Sequence, residues 1–179
     1  RGKTANEALK VIIDLLEKHG QGGVHNQKGM NYHNSYILAD PKEAYVLEAA
    51  GDWWVVEIVK DYRSISNNIS IRGKGDLRRD GIVQYAIDKG YCTDDKNFDF
   101  KMIFSSSPLP DKFPLDSRDG CSLNQLSKNR GNITPSLMMS FLREHEVGIC
   151  IHLKGNQSVG SQVSHLRKDG KRAIHWFTG

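Results

Sequence analysis

The sequence predicts an α+β fold in which short antiparallel strands are covered on both faces. A helix pattern opens the chain, and strand patterns separated by tight turns follow from Asn34. The third of these strand patterns, from Trp53 to Val59, is apolar at nearly every position. Strands without polar alternation are typical of a sheet buried on both sides. We therefore expect layers, with one face of the strands against helices and the other against a second sheet.

Residues 4–19 carry the strongest helix pattern. Thr4 and Glu7 have the spacing of a capping box, in which the threonine hydroxyl accepts from an amide and the glutamate reaches back to an earlier one. Apolar residues then recur at helical spacing, and Gly20 marks the end of the helix. The glycine-rich stretch that follows, as far as Asn31, predicts a flexible loop.

Residues 34–66 predict a meander of strands. Turn-forming residues separate its members. The strand-like runs lie at 35–39, 44–48 and 53–59, with 63–66 as a candidate fourth.

The remaining sequence is more polar, and its predicted elements are shorter. We expect short helices at 82–89 and 97–104, an irregular insertion at about 105–132, a helix at 135–146 and a C-terminal hairpin at 158–177. The whole of 1–179 is interpreted as a single incomplete domain cut from a longer polypeptide.

Composition limits the partners and the compartment. The chain has 25 Lys and Arg against 21 Asp and Glu, and these basic residues are scattered rather than massed. A scattered charge without interleaved aromatic residues disfavours nucleic-acid binding. No apolar run is long enough to suggest a membrane span. Three widely spaced cysteines without a C-x-x-C pair favour a reducing compartment, so we expect a cytoplasmic protein.

Several segments, taken in order, resemble the secernin family, relatives of the dipeptidases among the cysteine N-terminal-nucleophile hydrolases. The similarity is close over residues 1–71, weak across 72–130, and returns in pieces from Gly131. The segments are Thr4 to Leu9, Leu15 to Gly23, His33 to Asp40, Glu43 to Gly51, Arg63 to Asn67 and His175 to Gly179.

The resemblance implies an αββα sandwich and a definite chemistry. In such hydrolases a cysteine at the mature amino terminus attacks an amide carbonyl, with its own α-amino group as base. Arg1 cannot attack, and in secernins the cysteine lies upstream of the first helix seen here. We therefore expect this chain to be the later part of the domain, without a nucleophile and inert alone.

The same resemblance bears on ligands and partners. Short peptides or small amides are the implied substrates, and the missing N-terminal part or another chain is expected to cover the open edge of the sheet. The alternative is a non-catalytic interaction protein on the same fold, linked to regulated exocytosis, because a fold does not determine a function.

Three residues are candidates for the later part of the site. Asn67 lies where related amidases carry an oxyanion-hole asparagine, although an Asn there also suits a simple turn. Asn34 is a weaker catalytic candidate, and a strand-capping role is the alternative. Arg63 is a weak candidate for binding a substrate carboxylate, against a surface ion pair.

Two further patterns point to chemistry less directly. Cys150 and His152 fall on one face of a possible strand, as a nucleophilic pair would, but a cysteine is more often a small buried apolar residue. His145-Glu146 begins a pattern of metalloproteases, but Ile149 stands where that pattern needs a second histidine. We expect no metal and no cofactor.

Overall fold

Helices and antiparallel strands both form in this chain, so the α+β class is confirmed. The computed structural model describes residues 2–21, 33–105, 110 and 112–178. The predicted loop up to Asn31 falls almost entirely outside these ranges. The elements are α1 Ala5–His19, β1 Ser35–Ala39, β2 Ala44–Ala50, β3 Trp53–Ile58, β4 Leu77–Arg78, α2 Ile82–Asp88, a 3-10 turn Asp95–Asn97, α3 Phe100–Phe104, α4 Arg118–Lys128, α5 Pro135–Leu142, β5 His152–Leu153, β6 Asn156–Gln157, β7 Ser161–His165 and β8 Ile174–Thr178.

The predicted single domain divides into two compact units. The first unit contains Arg1–Lys60 and Ile65–Pro110, and the second contains Asp61–Ser64 and Asp111–Gly179.

The first helix begins as its capping residues predict. The Thr4 hydroxyl accepts from the Glu7 amide at 3.1 Å. The Glu7 carboxylate accepts from the amide of Lys3, one residue before the cap, at 2.7 Å. Asp40, in the turn between β1 and β2, accepts from the Ala5 amide at 2.8 Å and so ties the helix to the sheet.

The sheet of the first unit has the order β1-β2-β3-β4, and each pair is antiparallel. The predicted strand at 63–66 is wrong, because β3 pairs with β4 instead. Residues 61–64 belong to the second unit. There Asp61 forms an ion pair with Arg130 at 2.6 Å, and the hydroxyls of Ser64 and Ser122 are hydrogen-bonded at 2.7 Å.

Both faces of this sheet are buried. Successive side chains of a strand point to opposite faces, and in β2 they belong alternately to two apolar clusters. Leu47 packs in the cluster that contains Leu9 of α1, whereas Val46 packs in the cluster that contains Ile82 of α2 and Phe100 of α3. The expected second sheet on one face is therefore replaced, in the described residues, by short helices and the segment 69–71.

A buried carboxylate joins that segment to the sheet. Glu48 in β2 is 0% exposed. It accepts from the amides of Ser70 at 2.8 Å and Ile71 at 2.9 Å, and also from the Ser70 hydroxyl. A buried charge is tolerated only when hydrogen bonds replace its lost hydration. These bonds hold the segment across one face of the sheet.

In the second unit the expected irregular insertion contains a helix, α4. The Ser117 hydroxyl caps it by accepting from the Gly120 amide at 3.0 Å. Asp119 in its first turn and Lys128 in its last turn suit the helix dipole. The sequence predicted an irregular segment because several prolines precede α4 and the helix itself is polar, so its apolar periodicity is weak.

The last helix is shorter than predicted, and the hairpin forms as predicted. Thr134 caps α5, accepting from the Leu137 amide at 3.2 Å. The helix ends at Leu142 because the Glu144 carboxylate accepts from the amides of Glu146 and Val147, which makes a turn. β7 and β8 pair antiparallel, and α5 contacts β7. No helix in the described ranges is long and apolar enough to cross a bilayer.

Candidate functional site

Asn34 is built into the start of β1. Its backbone amide and its side-chain amide both donate to Gln21 Oε1, at 2.9 and 3.0 Å. Its carbonyl accepts from the Ala49 amide at 2.9 Å, and Gln21 donates to the carbonyl of Gly51 at 3.1 Å. These hydrogen bonds are those of a residue that caps the start of a strand. The catalytic role of Asn34 stays a prediction.

Asn67 is exposed in the connection between β3 and β4. The segment after it is fixed, because the Glu48 carboxylate binds the amides of Ser70 and Ile71. The neighbouring Asn68 donates its backbone amide to the Ser66 hydroxyl at 3.3 Å. Asn67 therefore stands at the beginning of an anchored segment, and its oxyanion role also stays a prediction.

Arg63 belongs to the second unit and is half-buried. Its Nη1 atom donates to the carbonyl of Ser64 at 2.8 Å. Since Asn34 and Asn67 belong to the first unit, the three candidates are not gathered into one site within either unit.

The second unit instead brings together two histidines and a cysteine. Cys150 Sγ lies 3.3 Å from His152 Nε2. The rings of His145 and His152 are stacked, with centroids 4.9 Å apart and an angle of 21° between their planes. One ligand atom from each of the three residues lies within 4.8 Å of the others. We call His145, Cys150 and His152 the His-Cys-His cluster.

A hydrogen-bonded turn holds this cluster together. The carbonyl of Glu144 accepts from the Cys150 amide at 2.7 Å, which closes the turn. Gly148 has a φ of 75°, a backbone conformation that suits glycine. After the turn, Ile151 and Ser158 form two hydrogen bonds with each other. The Ile151 amide donates to the Ser158 hydroxyl at 3.0 Å, and the Ser158 amide donates to the Ile151 carbonyl at 2.9 Å.

The cluster opens onto a cleft of about 640 Å³, which Arg118, Glu146 and Asn156 also line. Both histidines are exposed, and the cysteine is half-buried. A thiolate and two imidazoles are donors that suit zinc, and a thiol beside an imidazole is also the start of a nucleophilic pair.

A second cysteine in this unit has a different environment. Burial raises the pKa of the Cys121 thiol above its ordinary value, and the negative charges of Glu144 and Glu146 raise it further. Its Sγ atom accepts from Gln125 at 3.4 Å. These charges disfavour a Cys121 thiolate, so it is a poor nucleophile.

An aromatic cleft of about 800 Å³ lies in the first unit. Trp53 and Tyr85 contact each other with centroids 4.8 Å apart, and the Arg79 guanidinium lies 5.5 Å from the Trp53 ring. Tyr91 and His33 also line this cleft. Burial lowers the pKa of His33 below its ordinary value.

Comparison with known proteins adds no family. No protein-family model matches this chain, and no solved structure matches it. The resemblance to secernins therefore depends on the six quoted segments alone.

Sequence reasoning did not find the His-Cys-His cluster as a group. The pattern H-x₄-C-x-H is not a common ligand spacing, and the three residues meet only because the chain turns between Glu144 and Cys150. The sequence signals were the C-x-H pair, which puts two donors two residues apart, and His145 in the incomplete metalloprotease pattern, which gave no reason to connect the two.

Proposed function

We propose that this chain is the later part of a secernin-like cysteine hydrolase that acts on short peptides or small amides. The observation that carries the proposal is the order and spacing of the six secernin-like segments, which are densest over residues 1–71. The helix α1 and the antiparallel strands β1 to β3 lie in this part of the chain and suit one helix layer and one sheet of an αββα sandwich.

The proposed chemistry divides the site between two parts of the protein. A cysteine at the mature amino terminus, outside these residues, attacks the carbonyl carbon, and its α-amino group takes the thiol proton while the carbonyl π electrons move to the oxygen. The C–N bond then breaks, the amine leaves with the proton returned by the α-ammonium group, and water hydrolyses the thioester. Asn67 donates its side-chain amide to the oxygen that becomes negative. A single donor of this kind contributes roughly 100-fold or more to kcat.

The anchor at Glu48 supports this role for Asn67. An oxyanion donor must be held in place before the reaction, because the free energy needed to reorient it would offset the stabilisation that it gives to the transition state. The bonds from Ser70 and Ile71 to Glu48 fix the chain three residues after Asn67. We expect this anchor to limit the motion of the Asn67 backbone.

The test uses the natural full-length protein and a panel of dipeptides. Asn67→Ala is compared with Asn68→Ala, its neighbour of the same type. We expect Asn67→Ala to lower kcat by roughly 100-fold with little change in KM, because the donor acts on the transition state. The Asn68→Ala control is expected to keep its kcat. Equal effects of the two substitutions contradict the proposed role of Asn67.

A second candidate function is a non-catalytic interaction protein on the same fold, with a role in regulated exocytosis. The observation in its favour is the edge of the first sheet. Among the described residues β1 pairs only with β2, and Ile37 in β1 is 48% exposed. A free strand edge is a template for another chain. The missing N-terminal part of the same protein would cover this edge in the first proposal, and a partner protein in the second.

A further inference from the structure

We propose that the His-Cys-His cluster binds a zinc ion, with the thiolate of Cys150 and the imidazoles of His145 and His152 as ligands. The hydrolase chemistry proposed above needs no metal, so this inference does not depend on it. The spacing of these residues along the sequence gave no reason to expect a metal. The folded chain nevertheless brings the three donors together across a turn.

The distances are close to those of a tetrahedral site. Zinc lies about 2.3 Å from sulfur and about 2.0 Å from nitrogen, which places neighbouring ligand atoms roughly 3.5 Å apart. The distance from Cys150 Sγ to His152 Nε2 is 3.3 Å, and no pair in the cluster exceeds 4.8 Å. A movement of roughly 1 Å by the exposed His145 ring would complete three tetrahedral positions.

The backbone around the cluster is already fixed. The bond from the Cys150 amide to the Glu144 carbonyl closes the turn that separates His145 from Cys150. The paired bonds between Ile151 and Ser158 join the ends of the short strand pair β5–β6, in which His152 is the first residue. Because the folded chain supplies this order, binding has to fix only the side-chain torsions.

The charges and the solvent access also suit a cation with one open position. Glu146 lines the cleft, and Glu144 and Glu146 are the two sequence neighbours of His145. Arg118 is the opposing positive charge on the cleft wall. A site with three protein ligands and an open cleft leaves the fourth position to water or to a small ligand, the arrangement of catalytic zinc sites.

The type of donor selects the metal. Sulfur and imidazole nitrogen suit zinc or cobalt(II), whereas calcium and magnesium prefer oxygen ligands. Binding requires loss of the Cys150 thiol proton, which passes to solvent, and the metal is neither oxidised nor reduced. We expect the two stacked histidine rings to separate when both bind one ion.

The test is a Co²⁺ titration of the natural full-length protein, stripped of metal and kept reduced with a phosphine. The expected result is one equivalent of Co²⁺ bound with a thiolate-to-metal absorption band, which Zn²⁺ then removes by displacement. Cys150→Ser should abolish the band, and His145→Asn and His152→Asn should each weaken binding about tenfold or more.

Two controls keep the outcome clear. Cys92→Ser removes a half-buried thiol from the first unit, and His165→Asn removes an exposed imidazole from β7. Both are expected to keep the band and the affinity, and circular dichroism checks the fold of every variant. The proposal is overturned if the wild-type protein gives no thiolate band, or if the band survives in Cys150→Ser. Fast alkylation of Cys150 without Co²⁺ binding would also overturn it and would identify a metal-free thiol–imidazole pair.

Discussion

Cys150 Sγ and His152 Nε2 lie 3.3 Å apart beside the stacked ring of His145. The turn between Glu144 and Cys150, closed by the bond from the Cys150 amide to the Glu144 carbonyl, brings this pair beside His145. Cys150 and His152 are therefore close because they are two residues apart in sequence, whereas His145 joins them only because the chain turns.

Zinc should stabilise the folded protein if the cluster binds it. A ligand present at 100 times its Kd adds about 2.7 kcal/mol to the free energy of unfolding, provided that it binds only the folded state. We expect Zn²⁺ to raise the thermal midpoint of the wild-type protein and to leave that of Cys150→Ser unchanged. Mg²⁺ is the control cation, since the donors are not oxygen atoms. An equal rise in both proteins would mean that zinc binds elsewhere.

Glu48→Gln tests the buried carboxylate. The substitution keeps the size of the side chain but replaces a carboxylate, which accepts from the amides of Ser70 and Ile71 and from the Ser70 hydroxyl, with an uncharged amide that has only one acceptor oxygen. We expect a loss of roughly 2 kcal/mol in the free energy of unfolding, measured in urea. Glu17→Gln is the matched control, because Glu17 is exposed and accepts one bond from Trp54 at 3.0 Å. A similar loss in both variants would argue against a special role for burial.

Gly75→Ala and Gly73→Ala separate backbone conformation from close packing. Both glycines have a φ near 60°, so alanine costs roughly 1 kcal/mol at either position. A Cβ atom at Gly75 would lie 2.7 Å from the Val56 carbonyl oxygen, whereas at Gly73 it would meet open space. We expect Gly75→Ala to be the more destabilising by roughly 1–3 kcal/mol in urea unfolding. Equal losses of stability in the two variants would mean that the backbone at Gly75 shifts away from the Val56 carbonyl oxygen with no loss of free energy.

Asp99 should make stability depend on pH. Burial by itself raises the pKa of its carboxyl, but bonds from Arg72 at 2.7 Å, Gly73 at 3.1 Å and Met102 at 3.0 Å outweigh burial and lower the pKa below its ordinary value. A lowered pKa in the folded state means that stability is present above the pKa of the unfolded state and is lost as pH falls through the folded value.

Asp99→Asn is therefore expected to destabilise the protein most at neutral pH. The difference in free energy of unfolding from wild type should shrink as the pH falls from the ordinary pKa of an aspartate through the lowered pKa of Asp99. Urea unfolding at a series of pH values measures it. Asp14→Asn, on the exposed side of α1, is the control. A constant difference at all pH values for Asp99→Asn contradicts the ionic role of these bonds.

The elements with strong local signals were predicted well. α1 has a capping residue, a regular apolar face and a glycine stop, and these signals act within a few residues. β2 and β3 are apolar on both faces because both are buried, and that burial is visible in their composition. The antiparallel order follows from the short turns between them.

The errors occurred where distant contacts decide the structure. The segment 63–66 has strand-like residues, but its first two residues belong to the second unit, where Ser64 is hydrogen-bonded to Ser122 and the preceding Asp61 forms an ion pair with Arg130. α4 is polar and follows several prolines, so its Ser117 cap was the only strong signal. α5 ends early because of a side chain, Glu144, that competes for backbone amides.

The candidate site was predicted only in part for the same reason. Asn67 was identified by resemblance and Asn34 by its position at the start of a buried strand, and the structure gives their surroundings without testing their roles. The His-Cys-His cluster forms across a turn whose closing bond, from the Cys150 amide to the Glu144 carbonyl, is not encoded by a recognisable turn sequence.

The central claim is that these residues belong to a hydrolase whose nucleophile is a cysteine at the mature amino terminus. The most direct measurement is intact mass with amino-terminal sequencing of the natural protein isolated from cells. The account predicts a mature chain that begins with cysteine ahead of the residues described here. A mature chain that begins with anything other than cysteine, serine or threonine would contradict it and would favour the interaction protein.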